Sequence, residues 1–133
     1  MRIKLSTLLN EMGLKAKSAS AILNTASSDQ KNKFFELAIL SIEENANAIL
    51  DANKVDVKAA EDNKKDEAFI DRLALNENRL REICNTLAEI KSFNDPIGRV
   101  LASWDRPNGL NISRVATPLG VIGLIFESRP NVA

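Results

Sequence analysis

Thr117 to Asn131 reads TPLGVIGLIFESRPN, and its centre, Val121-Ile122-Gly123-Leu124-Ile125-Phe126, is a nearly unbroken apolar, β-rich run. Such a run predicts a strand buried on both faces. Gly123 within it would let a neighbouring backbone or a ligand approach closely. Glu127 and Arg129 then fall at the carboxyl end of the strand, where open α/β sheets bind their ligands. Pro130 suits the first position of a following helix. A core strand ending in two solvated charges is the plainer alternative.

The totals narrow the chemistry. With 133 residues the chain is one domain or part of a larger one. Lys plus Arg equals Asp plus Glu at 18 each, so nothing in the charge favours nucleic acid or an anionic membrane as partner. No apolar run reaches the ~20 residues needed to span a bilayer, and Asn10, Glu11 and Lys15 interrupt any signal-peptide core. A cytoplasmic location follows as the expectation. Its single cysteine forms no internal disulfide. Without histidine the chain has neither a Ser/His/Asp nor a Cys/His arrangement and lacks the commonest zinc ligand. No metal site is expected.

Upstream, the periodicity is helical. Leu5, Leu8, Leu9, Met12, Ala16, Ala19 and Leu23 predict an amphipathic helix from Leu5 to Asn24, weakened at Gly13. After a polar break, Ser28 or Asp29 can cap a second helix with Phe35, Ala38, Ile39, Ile42, Ala46 and Ile49 on one side, ending near Asn53. Both stripes are packing surfaces. The charged stretch Asp51 to Asp66 suggests a short exposed helix of mixed sign. Leu75-Asn76 offers a capped start to a helix from Glu77 to Phe93, with Cys84 on its apolar face. That placement predicts an inert, buried thiol.

At Asn94-Asp95-Pro96 the period switches to alternation. Val100, Ala102 and Trp104 alternate with Leu101, Ser103 and Asp105; beyond Pro107-Asn108-Gly109, Leu110, Ile112 and Arg114 alternate with Asn111, Ser113 and Val115. Pro-Asn-Gly between two such runs predicts a hairpin. A three-residue loop sets Trp104 opposite Ile112; a two-residue Asn108-Gly109 loop is the other register. A lone two-stranded ribbon is marginal in water, so it either covers its own helices or adds to a partner's sheet.

Three segments carry a likeness: AFIDRLALNENRL (68–80), DPIGRVLASWDRPNGLNISRV (95–115) and TPLGVIGLIFESRPNV (117–132). In order and spacing they resemble the γ-glutamyl phosphate reductases of the aldehyde dehydrogenase superfamily; PLGV-x-G is shared across the superfamily, whereas ESRPNV points to this member. The resemblance implies NADPH-dependent reduction of L-glutamyl 5-phosphate to glutamate 5-semialdehyde in proline biosynthesis, with a downstream cysteine as nucleophile. Cys84 does not match that cysteine, so no catalytic residue is expected here. Arg129 takes the place of an asparagine that holds the carbonyl oxygen in other aldehyde dehydrogenases. An arginine there can grip the substrate's phosphate, with Ser128 and Asn131 lining the same mouth and Glu127 either pairing with Arg129 or touching ligand. The hairpin, 98–116, matches a segment that serves oligomerisation in the superfamily.

The fold class implied is an α+β/α/β fragment: N-terminal helices (1–94), a β-hairpin arm (95–116), and the first strand with its working end (117–133) of an incomplete Rossmann-like nucleotide-binding domain. A parallel strand needs a crossover of a dozen or more residues to reach its neighbour, and three residues follow Pro130. The expected function is that of an N-terminal fragment of the reductase, inactive alone and binding no NADPH. The alternative is a non-enzymatic interaction module that associates with full-length reductase subunits through its hairpin. The unpaired VIGLIF segment is an aggregation hazard in either case.

Overall fold

The computed structural model describes residues 5–132. Five α-helices precede an antiparallel hairpin and a closing 3-10 turn: α1 Leu5–Leu23, α2 Ser28–Glu44, α3 Ala46–Asp62, α4 Glu67–Leu73, α5 Glu77–Ser92, β1 Val100–Asp105, β2 Asn111–Val115 and η1 Pro130–Val132. They fall into two compact units, one of residues 29–93 with 124–133, the other of residues 1–28 with 94–123.

In the first unit α3 packs on α4 and α5. Its core is small: Ala60 from α3 and Leu80 and Cys84 from α5 are buried. Lys91 on α5 reaches Glu36 on α2 at 2.8 Å, and Lys33 meets the same carboxylate at 3.2 Å. Lys91, then Lys33, hold the Glu36 carboxyl below its ordinary range. Stability from this contact is present at neutral pH and is lost as acid protonates Glu36.

Two expectations are corrected here. The helix expected from Ser28 to Asn53 is broken at Asn45 (φ −102°, ψ 13°), whose side-chain Nδ2 donates to the Ser41 carbonyl at 2.8 Å. An asparagine amide competes for a helix's own acceptors and so interrupts it. The charged stretch is not a separate short helix but the second half of α3, which runs 17 residues from Ala46. Its apolar anchor is Ala60, and its charges lie in solvent.

That helix ends in an unusual cap. Lys65 N–H donates to Ala60 O (3.1 Å) and Lys64 N–H to Glu61 O (2.8 Å), the paired bonds of a Schellman motif. The left-handed position is held by Lys64 at φ 54°, where glycine carries no Cβ penalty. Lys64→Gly is therefore expected to stabilise the fold by about 1 kcal/mol, read as a rise in the urea midpoint; an unchanged or lower midpoint contradicts it. Lys65 then lies over the Phe69 ring, 4.8 Å from its centroid, drawing α4 to the end of α3.

Both short connections obey capping chemistry. Asp66 Oδ1 accepts from Phe69 N–H at 2.7 Å to start α4, and Asn76 Oδ1 accepts from Arg79 N–H at 2.9 Å to start α5. Between the two helices, the chain from Leu73 to Leu75 is held from α3. Asn53, 6% exposed, donates to Leu73 O at 2.9 Å and accepts from Leu75 N–H at 2.6 Å. One amide thus serves both a carbonyl and an N–H, as a neighbouring backbone would. Cys84 is buried, and that burial pushes its thiol pKa up, with Glu43 adding to the shift. The thiol is a core group.

In the other unit α1 runs unbroken through Gly13. Its stripe Leu5, Leu8, Leu9, Met12 and Leu23 stays exposed, so the packing expected of it is not made by the described residues. The hairpin has the three-residue register: Trp104 faces Ile112 and Asp105 faces Asn111. Gly109 N–H donates to Arg106 O at 2.9 Å and Arg106 N–H to Leu110 O at 2.8 Å, a type I turn with Pro107 second and Gly109 at φ 84° closing it. Ser103 and Ser113 hydroxyls meet across the strands at 3.1 Å. The alternation breaks at Leu101, where a bulge shifts the register between Val100 and Ala102.

The strand expected at Val121–Phe126 is absent among the described residues: the run pairs with no other strand, and the sheet consists of β1 and β2 alone. Its side chains are exposed rather than buried, Ile125 completely so at 102%. A strand exists by its ladder partners, and none of the described residues supplies one. No described helix is long and apolar enough to cross a membrane.

Candidate functional site

A cleft of about 620 Å³ opens beside α4 and α5 in the unit that contains residues 124–132. It is lined by the α4–α5 link at Ala74 and Leu75, by Ile83, Leu87 and Ile90 of α5, and by Arg129 to Val132. Two of the segments that carry the family likeness therefore face one space.

Of the residues expected from sequence, Arg129 and Asn131 line this cleft, both exposed, whereas Glu127 and Ser128 do not. Ser128 has φ 52°; a left-handed serine turns the chain between the apolar run and η1. Pro130 opens η1, a three-residue 3-10 turn. Glu127 makes no ion pair with Arg129 among the described residues, so of its two expected roles this one is not taken.

Five more polar side chains share the cleft, Asp71 and Thr86 among them. Arg72 stands in the last turn of α4, and Arg79 and Glu82 project from the first turns of α5. Arg79 is fixed: Nη2 contacts Asp71 Oδ1 at 2.8 Å, and Nη1 donates to Ala74 O at 2.9 Å and to Asp71 O. Three of its five N–H donors are thereby engaged and two remain. Its side chain is 39% exposed, a planar fork held at the cleft rim. Sequence reading passed over these residues because Arg79 and Glu82 look like the solvated side of an amphipathic helix. The only signal was that Arg79 belongs to the same AFIDRLALNENRL segment as the family likeness.

A second cavity of about 270 Å³ lies near Cys84, Glu43, Asn47 and Arg81. No group of three or more His, Cys, Asp or Glu among the described residues has the geometry to hold a metal ion.

No family model matches the chain. Curated relatives do: it is 50% identical over 128 residues to the gamma-glutamyl phosphate reductase of Brucella suis biovar 1 (strain 1330), covering 96% of this chain and 30% of that protein. It is also 50% identical over 121 residues to the enzyme of the same name from Bartonella tribocorum, covering 91% and 30%. Among solved structures, gamma-glutamyl phosphate reductase from Thermotoga maritima superposes with a TM-score of 0.90 at 40% identity, over 93% of this chain and 30% of that one. The Saccharomyces cerevisiae enzyme gives 0.87 at 28% identity, over 92% and 31%. The helices and hairpin therefore match the N-terminal region of these larger reductases. Over nearly its whole length the chain is similar to gamma-glutamyl phosphate reductases, and it spans about 30% of the length of the relatives it matches.

Proposed function

We propose that this chain contributes the N-terminal portion of an NADPH-dependent reductase that converts L-glutamyl 5-phosphate to glutamate 5-semialdehyde in proline biosynthesis. The observation that carries the reading is 50% identity over 128 residues to relatives of that name. NADPH supplies the hydride when bound. The described residues do not fit its site: dinucleotides bind at the carboxyl ends of parallel strands, and the sheet here is a two-stranded antiparallel ribbon. Cofactor binding is assigned to other parts of the protein, with Val121–Phe126 as the first strand of that sheet. The cytoplasm is the compartment that fits this biosynthetic role.

The contribution of this segment is to substrate binding. Arg129 offers a bidentate guanidinium to the phosphate, and the Asn131 amide lines the same wall. Mixing this chain with a polypeptide carrying the remaining part of a relative should restore NADPH oxidation dependent on glutamyl phosphate, while either part alone should show none. Activity of this chain alone would overturn the proposal. In the complemented enzyme Arg129→Lys is expected to raise KM for glutamyl phosphate about tenfold or more, through loss of a charged two-point contact. An unchanged KM and turnover would remove Arg129 from the site.

One observation favours a second reading, association with full-length subunits through the hairpin: Trp104, Val100, Val115 and Ile112 are all more than a third exposed. Co-purification of this chain with an intact reductase, abolished by Trp104→Ser, is its test.

A further inference from the structure

We propose that the cleft reads the amino-acid head of an acyl phosphate ligand, Arg79 taking its α-carboxylate and Glu82 its α-ammonium. This rests on the reading of Arg129, which lines the same cleft, as the phosphate grip. The charges are arranged in an uncommon way. Arg79 and Glu82 are three residues apart on α5, the spacing at which opposite charges usually pair. Among the described residues they form no ion pair with each other, because the Arg79 fork is turned toward Asp71 and the Ala74 carbonyl.

A guanidinium with two free donors and a carboxylate without a partner stand side by side on the cleft. This is the complement of a zwitterion. Apolar Ile83 and Leu87 line the cleft with them for a short methylene chain, and Arg129 of the same lining receives an anion. Because Asp71 and the Ala74 carbonyl already hold Arg79, little ordering is left for the ligand to impose. The volume, about 620 Å³, lies within the range of small-molecule sites.

The test is calorimetric titration of the chain with L-glutamate, glutarate and inorganic phosphate. Glutarate keeps both carboxylates and lacks the ammonium. L-Glutamate is expected to bind about tenfold more tightly than glutarate, the scale of one charged hydrogen bond. Glu82→Gln is expected to erase that preference and leave phosphate binding unchanged, and Arg79→Lys to weaken both dicarboxylates alike. Equal binding of L-glutamate and glutarate, or a preference that survives Glu82→Gln, overturns the head-group assignment. Phosphate binding indifferent to Arg129→Lys overturns the phosphate grip instead, so the two readings fail on different probes.

Discussion

Asn53→Ala is expected to lower the unfolding free energy by about 2–4 kcal/mol, the largest loss from a single substitution in the helical unit. The reason lies in what the amide leaves behind. Removing it strips a partner from Leu73 O and from Leu75 N–H at once, and each orphaned, partly buried group costs about 1–3 kcal/mol. It also leaves a cavity beside a core of few residues, where there is little else to rearrange. Asn53→Asp separates the contributions. An aspartate still accepts from Leu75 N–H but offers no donor to Leu73 O and sets a negative charge against that carbonyl. Urea unfolding should place the aspartate midpoint well below the native one, with m unchanged if the denatured state is unaffected. If both variants unfolded within about 0.5 kcal/mol of the native chain, as ordinary surface substitutions do, Asn53 would not be the clip described here.

Ile125→Lys should give opposite results in two settings. In this chain Ile125 is fully exposed, so its replacement should change stability by no more than about 0.5 kcal/mol. It should also cut aggregation sharply, because a charge interrupts an uncharged, β-prone hexamer. Light scattering during a thermal ramp reads the second effect. At the matching position of the full-length Thermotoga maritima relative, a strand buried on both faces is what the proposal requires, and an unpaired lysine there should lower stability by several kcal/mol or prevent folding. Neutral behaviour in the full-length protein would end the reading of Val121–Phe126 as the first strand of the nucleotide-binding sheet.

What the sequence showed and what it hid divide along a physical line. Features decided within a few residues were legible. The cap at Asn76 follows from a side-chain acceptor at a helix start, and the hairpin from Pro107-Asn108-Gly109 between two alternating runs, with its register open between two loop lengths until the structure sets Trp104 opposite Ile112. The burial of Cys84 followed from period alone. Features decided between distant residues were not legible. The break at Asn45 depends on which carbonyl its amide chooses and the bulge at Leu101 on how β1 meets β2, and the strand expected at Val121–Phe126 finds no ladder among the described residues. Of the four residues named through the likeness at ESRPNV, Arg129 and Asn131 line the cleft and Glu127 and Ser128 do not. Arg79 and Glu82 were not legible, because a charged pair on an exposed helix face has no pattern of its own. Only the cleft distinguishes it from a solvated surface.

Asn53 also has a mechanical meaning. A loop between two helices ordinarily behaves as slack, absorbing small motions of the elements it joins. Here the link from α4 to α5 is tied to α3 on both its carbonyl and its N–H, and the tied residues run directly into Ala74 and Leu75 on the cleft wall. The joint is a lever with a fixed fulcrum: a slide of α3 along its own axis is delivered to the rim of the cleft.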